Sequence, residues 1–368
     1  MIGSTSPDKA LGGSALRVAV ALSGGVDSAV AAALYKQRGA DVFALTMRLQ
    51  DDDNTDDAAR VAATLGIPHH IIDLRDRFAA CVMDYFADSY LAGETPVPCV
   101  RCNRLIKFGA LMDAAKEMGA QALVTGHYAR RVETPTGTQL HTGDDPARDQ
   151  SYFLSALTQA QIDFLRFPLA EMTKDDTRAM AARLGLSVAQ KPDSQDICFV
   201  PCGDYAGVLQ RLRPEAFTRG NIVDEAGNIL GTHDGIAHFT VGQRKGLNLS
   251  DRKGDNNAPL FVLALDAAKN QVIVGPREAL AKRIVTLTDL NWLGGAVPAG
   301  GLPVTVKLRS MQAPVAATFH LMENGTSSGD KTGEIHLSEP VFGVAAGQAG
   351  VMYDGSHLLG GGRIVGAR

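Results

Sequence analysis

The chain of 368 residues is 45% apolar and carries 36 basic against 40 acidic side chains, a net charge of −4. Such a length accommodates two or three domains with full cores. The slight acidity excludes capture of a nucleic acid by a global positive field and leaves local basic patches for any such contact; no apolar run approaches the roughly 20 residues of a membrane span, so no membrane partner is expected.

Residues 1–16 are rich in Gly, Ser and Ala and include an Asp but no Arg. They lack the basic start and apolar core of a secretory signal and read as a disordered tail. The cysteines are Cys81, Cys99, Cys102, Cys198 and Cys202. An odd set without a signal peptide points to a reducing cytoplasm, where thiols serve chemistry.

The first element is an apolar strand at 18–22, followed by Ser23-Gly24-Gly25-Val26-Asp27-Ser28 and a helix at 29–37. A Ser-Gly-Gly turn lets successive backbone N–H groups converge in a concave nest, and the helix adds its positive end. Together they suit phosphate oxygens. The Walker loop is excluded, because Val26-Asp27-Ser28 stands where it needs Gly-Lys-Ser/Thr. The hexapeptide resembles the PP-loop of ATP pyrophosphatases, although a glycine turn after the first strand also occurs in other doubly wound folds.

Strands at 42–47, 70–74 and 122–126 alternate with helices at 56–65, 78–91, 107–117 and 177–184. That alternation predicts a parallel sheet with helices on both faces and ligands at the carboxyl ends of its strands. The glycine turn, Met47 and Gly126-His127 fall there. His127 reads equally as a nucleotide contact or a satisfied structural histidine.

Thr95-Pro96-Val97-Pro98 makes a stiff approach to Cys99-Val100-Arg101-Cys102-Asn103. Thiols at a helix start beside Arg101 and Arg104 are expected to be enriched in thiolate, an unreactive pair being the bland alternative. No second Cys-x-x-Cys accompanies them, so structural zinc is not expected. Arg148-Asp149-Gln150-Ser151 enters a helix with Asp149 suited to its N-cap. Cys198 has apolar neighbours and by itself reads as a buried inert thiol. Cys81 reads as core, and Cys202 is assigned no role.

After about Pro201, Gly and Pro become frequent and short β-type runs follow one another at 236–241, 260–266, 271–274, 304–308, 316–321 and 333–337. Turns are expected at Gly325-Thr326 and Asp354-Gly355, and helical periodicity fades after 279–282. The expected fold is α/β: a doubly wound parallel sheet at 17–206, a small β-rich domain at 207–275 and a C-terminal β-barrel at 276–368.

Taken in order, these pieces resemble the tRNA-specific 2-thiouridylase family. They are the PP-loop hexapeptide, Thr95-Pro96 with Pro98, Cys102-Asn103 with Lys107-Phe108, and Gly126-His127-Tyr128-Ala129-Arg130. Asp149-Gln150-Ser151-Tyr152-Phe153-Leu154, Asp193-Ser194 and Ile197-Cys198-Phe199 follow, then Gly242-Gln243-Arg244-Lys245-Gly246-Leu247, Gly347-Gln348 and Leu359-Gly360-Gly361-Gly362.

The resemblance implies a reaction on the wobble uridine of tRNAs for Lys, Glu and Gln. ATP with Mg2+ adenylates the oxygen on carbon 2, and sulfur from a persulfide donor or relay protein then replaces it. It implies ATP contacts at Ala21, Leu22, Ser23, Gly24, Gly25, Val26, Asp27, Ser28, Met47 and Gly126, with Met47 against adenine. Val97, Pro98 and Cys99 would face the target base. Arg148, Asp149 and Gln150, and Arg309 and Ser310 of the barrel, would touch tRNA. Cys198 would carry the persulfide. Cys102 would complete transfer, by freeing sulfide or by forming a disulfide with Cys198.

One departure stands out: many family members have an acidic residue where this chain has Cys99. Three thiols, Cys99, Cys102 and Cys198, are also the ligand number of a [4Fe–4S] cluster with one open iron, so both a persulfide and a cluster route stay open. Outside the family, an ATP-dependent amide synthetase would need an ammonia source, and nothing in the β part reads as a glutaminase. A non-catalytic RNA-binding or sulfur-carrier protein would not need an intact PP-loop.

Overall fold

A computed structural model describes residues 15–192, 197–200, 203–247, 249, 259–322 and 331–368. The expected tail up to residue 14, Asp193-Ser194, Cys202 and the Gly325-Thr326 turn lie outside the described residues. Two compact units divide the chain, Met1–Ala79 with Arg101–Gln195 and Ala80–Val100 with Asp196–Arg368.

In chain order the elements are β1 (Arg17–Ala21), α1 (Val26–Gln37), β2 (Asp41–Arg48), α2 (Asp56–Leu65), β3 (His69–Asp73), α3 (Arg75–Phe78), a π segment (Ala79–Met83) and α4 (Asp84–Leu91). Then come α5 (Pro98–Cys102), a second π segment (Asn103–Ala110), α6 (Leu111–Glu117), β4 (Ala122–Val124), β5 (Ala129–Thr134) and β6 (Gly137–Thr142). A 3-10 turn (Ser151–Leu154), α7 (Gln159–Phe164), β7 (Leu165–Arg166) and α8 (Lys174–Arg183) precede α9 (Tyr205–Leu212). β8 (Gly220–Val223), β9 (Ile229–His233), β10 (Phe261–Asp266) and β11 (Gln271–Gly275) follow. The last six strands are β12 (Ala281–Trp292), β13 (Leu302–Lys307), β14 (Val315–Met322), β15 (Thr332–Phe342), β16 (Ala349–Asp354) and β17 (His357–Ala367).

In the first unit, β3-β2-β1-β4-β7 form a sheet in that order, every pair parallel. β1 is covered on both faces, with Val18, Ala19 and Val20 all buried, hence its unbroken apolar run. α1 is buried almost all round through Ala29, Val30, Ala31, Ala32 and Ala33; small side chains let it lie close to the sheet and to Ala181 of α8. The chain leaves β1 for β2 on one side and returns to β4 on the other. Strand order therefore reverses between β1 and β4, and a crevice opens at their carboxyl ends.

The second unit contains a four-stranded sheet, β10-β11-β8-β9, over Ile222, Ile236, Phe239, Val262, Val272 and Val274. It also contains a six-stranded antiparallel barrel in which β12 pairs with both β15 and β17 and so closes the ring. Alternate residues fill its interior, among them Val285, Leu287, Val306, Phe319 and Ile335, with Trp292 stacked on Phe319.

Three expectations need correction. The run at 236–241 is a 3-10 turn, Ile236–His238, followed by a turn in which Gln243 N donates to Thr240 O. Its buried residues, Ile236 and Phe239, are three apart, the spacing of a turn rather than of a strand. The segment at 279–282 holds a short 3-10 turn, Arg277–Leu280, that passes directly into β12. The helix expected from 107 is already under way at α5. Sequence reading also missed the β5–β6 hairpin, β7, β8, β9, β12, β16 and β17. Glycines disguise β17, and they are required there: a Cβ on Gly362 would stand 2.8 Å from Thr288 O of β12.

Candidate functional site

The crevice between β1 and β4 is lined by the Ser23–Ser28 loop. Gly24 has φ +70°, a left-handed conformation, and a Cβ there would lie 2.8 Å from Asp57 Cβ of α2. Gly25 is the N-cap of α1 and has no side chain to offer the first-turn N–H groups, so these remain directed toward the crevice. Ser28 binds the loop to itself. Its Oγ accepts from Ser23 N at 3.1 Å, donates to Gly25 O at 3.0 Å and lies 3.2 Å from Ser23 Oγ.

Asp27 does not open to the crevice as a bare carboxylate. Lys174 Nζ lies 2.8 Å from its Oδ1 and 2.9 Å from its Oδ2, and the Tyr128 hydroxyl donates to Oδ1 at 2.9 Å. Thr177 Oγ1 stands 2.9 Å from the same hydroxyl. Lys174 is only 7% exposed, so its charge needs this partner. It is the first residue of α8, fixed by a capping box in which Thr173 Oγ1 accepts from Asp176 N and Asp176 Oδ2 accepts from Thr173 N, each at 3.1 Å. Lys191 Nζ donates to Gly24 O at 3.1 Å and to Asp57 Oδ2 at 2.6 Å, fixing the loop from its other flank. Sequence reading gave no role to Lys174, Thr177, Lys191 or the Tyr128 hydroxyl. The only local signal for Lys174 is its place one residue after a Thr that opens a capping box.

Gly126 belongs to the same crevice for a steric reason. A Cβ on it would stand 2.7 Å from Ser28 N and 3.0 Å from Asp27 Cβ. Met47 is half-buried at the carboxyl end of β2. Beside it, Thr46 Oγ1 donates to Leu22 O at 2.7 Å and faces His69 Nε2 at 2.7 Å. Burial, reinforced by Lys107, holds the His127 imidazole well below the usual histidine range. Its Nδ1 faces Thr125 Oγ1 at 2.7 Å and its ring packs edge-on against Phe108, which fits the structural reading.

Gln150 grips Tyr128: its Oε1 accepts from Tyr128 N at 3.0 Å and its N donates to Tyr128 O at 2.9 Å. Asp149 accepts from Ser151 N at 3.0 Å, Ser151 Oγ at 2.9 Å and Gly143 N at 3.3 Å, but the expected N-cap is corrected: Gln150, not Asp149, stands at the cap of the 3-10 turn, so Asp149 ties the loop together instead. Arg148 is exposed. In this segment two side chains shape the loop and the arginine faces solvent.

Cys99 and Cys102 are half-buried, three apart in α5 and thus on one helical face. A π segment follows at once, and Asn103 Nδ2 donates to Phe153 O at 3.0 Å. Cys198 corrects the expectation of a buried thiol: it is exposed. It stands on a turn in which Val200 N donates to Ile197 O at 2.8 Å, while Phe199 and Val200 are buried and Phe199 packs edge-on against Phe86 of α4. The apolar neighbours anchor the turn and leave the thiol outside. Cys81 is half-buried in its π segment rather than in the core. Arg309 and Ser310 occupy the turn between β13 and β14, next to Met311, which is 91% exposed.

Asp27 does not fit an Mg2+ ligand, because both of its oxygens are engaged by Lys174 and Tyr128. Among the described residues no group of three or more His, Cys, Asp or Glu is placed to hold a metal ion.

The chain matches the tRNA methyl transferase HUP domain family over residues 16–202, the tRNA methyl transferase PRC-barrel domain over 206–276 and the aminomethyltransferase beta-barrel domain over 282–364. It is 51% identical to the tRNA-specific 2-thiouridylase MnmA of Rhodospirillum centenum, covering 95% of this chain and 91% of that one. It is 50% identical to the tRNA-specific 2-thiouridylase MnmA of Parvibaculum lavamentivorans, covering 95% and 90%. Among solved structures it aligns with a 4-thiouridine synthetase–RNA complex with bound ATP at TM-score 0.35 and 18% identity, over 50% of this chain and 44% of that one.

Gly126→Ala should force β4 and the first turn of α1 apart, lowering stability by about 1–3 kcal/mol in urea unfolding; unchanged stability would mean the two segments separate freely. His127 supplies a pH signature. Its folded pKa lies below the ordinary 6.5, so the stability it contributes is full above about pH 6.5 and is lost as pH falls below that value. His127→Gln should therefore show a smaller drop in melting temperature between pH 7.5 and pH 5 than the parent.

Proposed function

The chain belongs to the tRNA-specific 2-thiouridylase family, whose members are tRNA sulfurtransferases, and we propose that it uses ATP to make 2-thiouridine at the wobble position of tRNAs for Lys, Glu and Gln. The observation that carries the ATP step is the glycine loop at the reversal of strand order, where the first turn of α1 has no side-chain cap. The carbon-2 oxygen of uridine attacks the α-phosphorus of ATP; pyrophosphate leaves and AMP stays on the oxygen. The loop donors stabilise charge as it gathers on the leaving phosphates.

Sulfur transfer then follows the persulfide route. The terminal sulfur of a persulfide on Cys198 attacks carbon 2 and AMP departs with the oxygen. The Cys102 thiolate attacks the Cys198 sulfur, which releases 2-thiouridine and leaves a Cys102–Cys198 disulfide. A two-electron reductant restores both thiols, and a persulfide donor protein reloads Cys198. The exposure of Cys198 supports this reading, since a donor must reach it. Cys99 lines the base pocket with Val97 and Pro98. The bases must leave their stack to reach these thiols, at a cost of a few kcal/mol.

Lys174 makes the loop usable by a polyanion. A lone Asp27 carboxylate on the first turn of α1 would repel phosphate, and Lys174 cancels it. In this reading Met47, half-buried at the carboxyl end of β2, faces adenine, while Arg148, Arg309 and Ser310 supply tRNA contacts.

Mass spectrometry of tRNA nucleosides from a depleted strain should show 2-thiouridine falling while other modifications persist; unchanged 2-thiouridine would sink the reading. Cys102→Ser and Cys198→Ser should each stop thiolation yet keep tRNA-dependent pyrophosphate release, because serine carries no persulfide. Lys174→Met should raise the KM for ATP ~10- to 100-fold by leaving Asp27 uncompensated. Adding Asp27→Asn in that background should recover most of the loss; a double variant no better than Lys174→Met would refute charge cancellation.

A further inference from the structure

The Gly347-Gln348 pair lies in a loop of the barrel, and its backbone is fixed to β17. Gly347 N donates to Ile364 O and Ile364 N donates to Gln348 O, each at 2.8 Å. From this rigid base the loop takes hold of one residue of the distant segment ahead of α5. Thr95 N donates to Ala346 O at 2.8 Å, and Thr95 O accepts from Gln348 Nε2 at 2.8 Å. Both backbone groups of Thr95 are thus satisfied by the barrel. The surfaces touch so closely that a Cβ on Gly347 would lie 2.9 Å from Thr95 C and N. Next to this contact, Arg363 Nη1 of β17 reaches Glu94 Oε1 at 2.8 Å and Oε2 at 3.1 Å.

Only three residues, Pro96, Val97 and Pro98, separate Thr95 from Cys99. The two prolines fix their own φ and keep Thr95 and Val97 extended, so little freedom remains between the grip and the thiol. On the other side, the helix ends in a Schellman turn: Gly93 N donates to Tyr90 O at 3.0 Å and Glu94 N donates to Ser89 O at 2.9 Å. The segment is therefore fixed at its start, gripped at Thr95 and stiff up to Cys99.

We propose that Gln348, acting with Gly347 and Arg363, is a positioning residue for thiolation: it holds Thr95 so that Val97, Pro98 and Cys99 meet the target base in one fixed place. This inference rests on the reading of that segment as the base-facing one. It makes the C-terminal barrel part of the reaction machinery rather than only a surface for tRNA. The decisive group is a donor, since Thr95 offers Gln348 a carbonyl oxygen.

The test uses the full chain with unmodified tRNA, ATP and a persulfide donor. Gln348→Ala removes the donor, and Gln348→Glu replaces it with an acceptor that repels the carbonyl. Both should lower kcat for 2-thiouridine formation about ten- to a hundredfold, as expected for displacement of a reacting segment. KM for tRNA should stay within about twofold of the parent, because no tRNA contact is removed. Gln348→Lys keeps a donor on a long side chain and should recover most of the lost kcat. Alkylation of Cys99 by iodoacetamide, read by peptide mass spectrometry, should speed up in the Ala and Glu variants and return toward the parental rate in the Lys variant. Parental kcat in Gln348→Glu, or equal loss in Glu and Lys variants, would overturn the proposal. Cys102→Ser run alongside separates the two readings: if it still thiolates, the thiol chemistry itself fails, whereas an inactive Cys102→Ser with a fully active Gln348→Glu condemns the clamp alone.

Discussion

The ion pair between Lys174 and Asp27 is the contact on which the glycine loop depends. A helix N-terminus that receives phosphates gains from N–H donors and loses from a carboxylate beside them. Asp27 is such a carboxylate, and it is tolerated because Lys174 and the Tyr128 hydroxyl occupy both of its oxygens. The rest of the crevice is arranged to keep that pair in place. The capping box of Thr173 and Asp176 starts α8 at Lys174, Gln150 holds Tyr128 by its backbone, and Gly126 admits the first turn of α1 against β4. Together these contacts fix the charge pattern of the loop.

A different economy governs the second unit. There Cys99 stands on a short helix and Cys198 on a turn, and rigidity comes from their neighbours. Phe199 and Val200 bury themselves so that Cys198 stays outside, and the packing of Phe199 on Phe86 ties that turn to α4. α4 runs on into the segment that the barrel grips at Thr95. A barrel closed on itself has no free edge and deforms little, which suits it as a base for such a grip.

The methyltransferase wording of the matched domain families and the 2-thiouridylase names of the relatives differ, and the chemistry of the chain favours the latter. In the proposed mechanism, a phosphate nest serves activation of an oxygen, and an exposed thiol with a helical thiol pair serves the sulfur transfer that follows.

The local sequence determined what depends on neighbouring residues. Val18, Ala19 and Val20 announce a strand covered on both faces, Ser23 to Ser28 announce the nest, and Pro96 with Pro98 announces the stiff approach to Cys99, because backbone preference is set within a few residues. The strand at 236–241 was misread because apolar residues three apart serve a buried turn, and β17 was missed because glycines needed to pass Thr288 carry no strand signal. Only the tertiary structure decided which charges and surfaces meet. Lys174 lies 147 positions from Asp27, and Gln348 lies 253 from Thr95, separations at which no local pattern survives. A Coulomb pair or a hydrogen bond depends on distance in space, and that distance is set by how the strands are ordered and how the barrel closes.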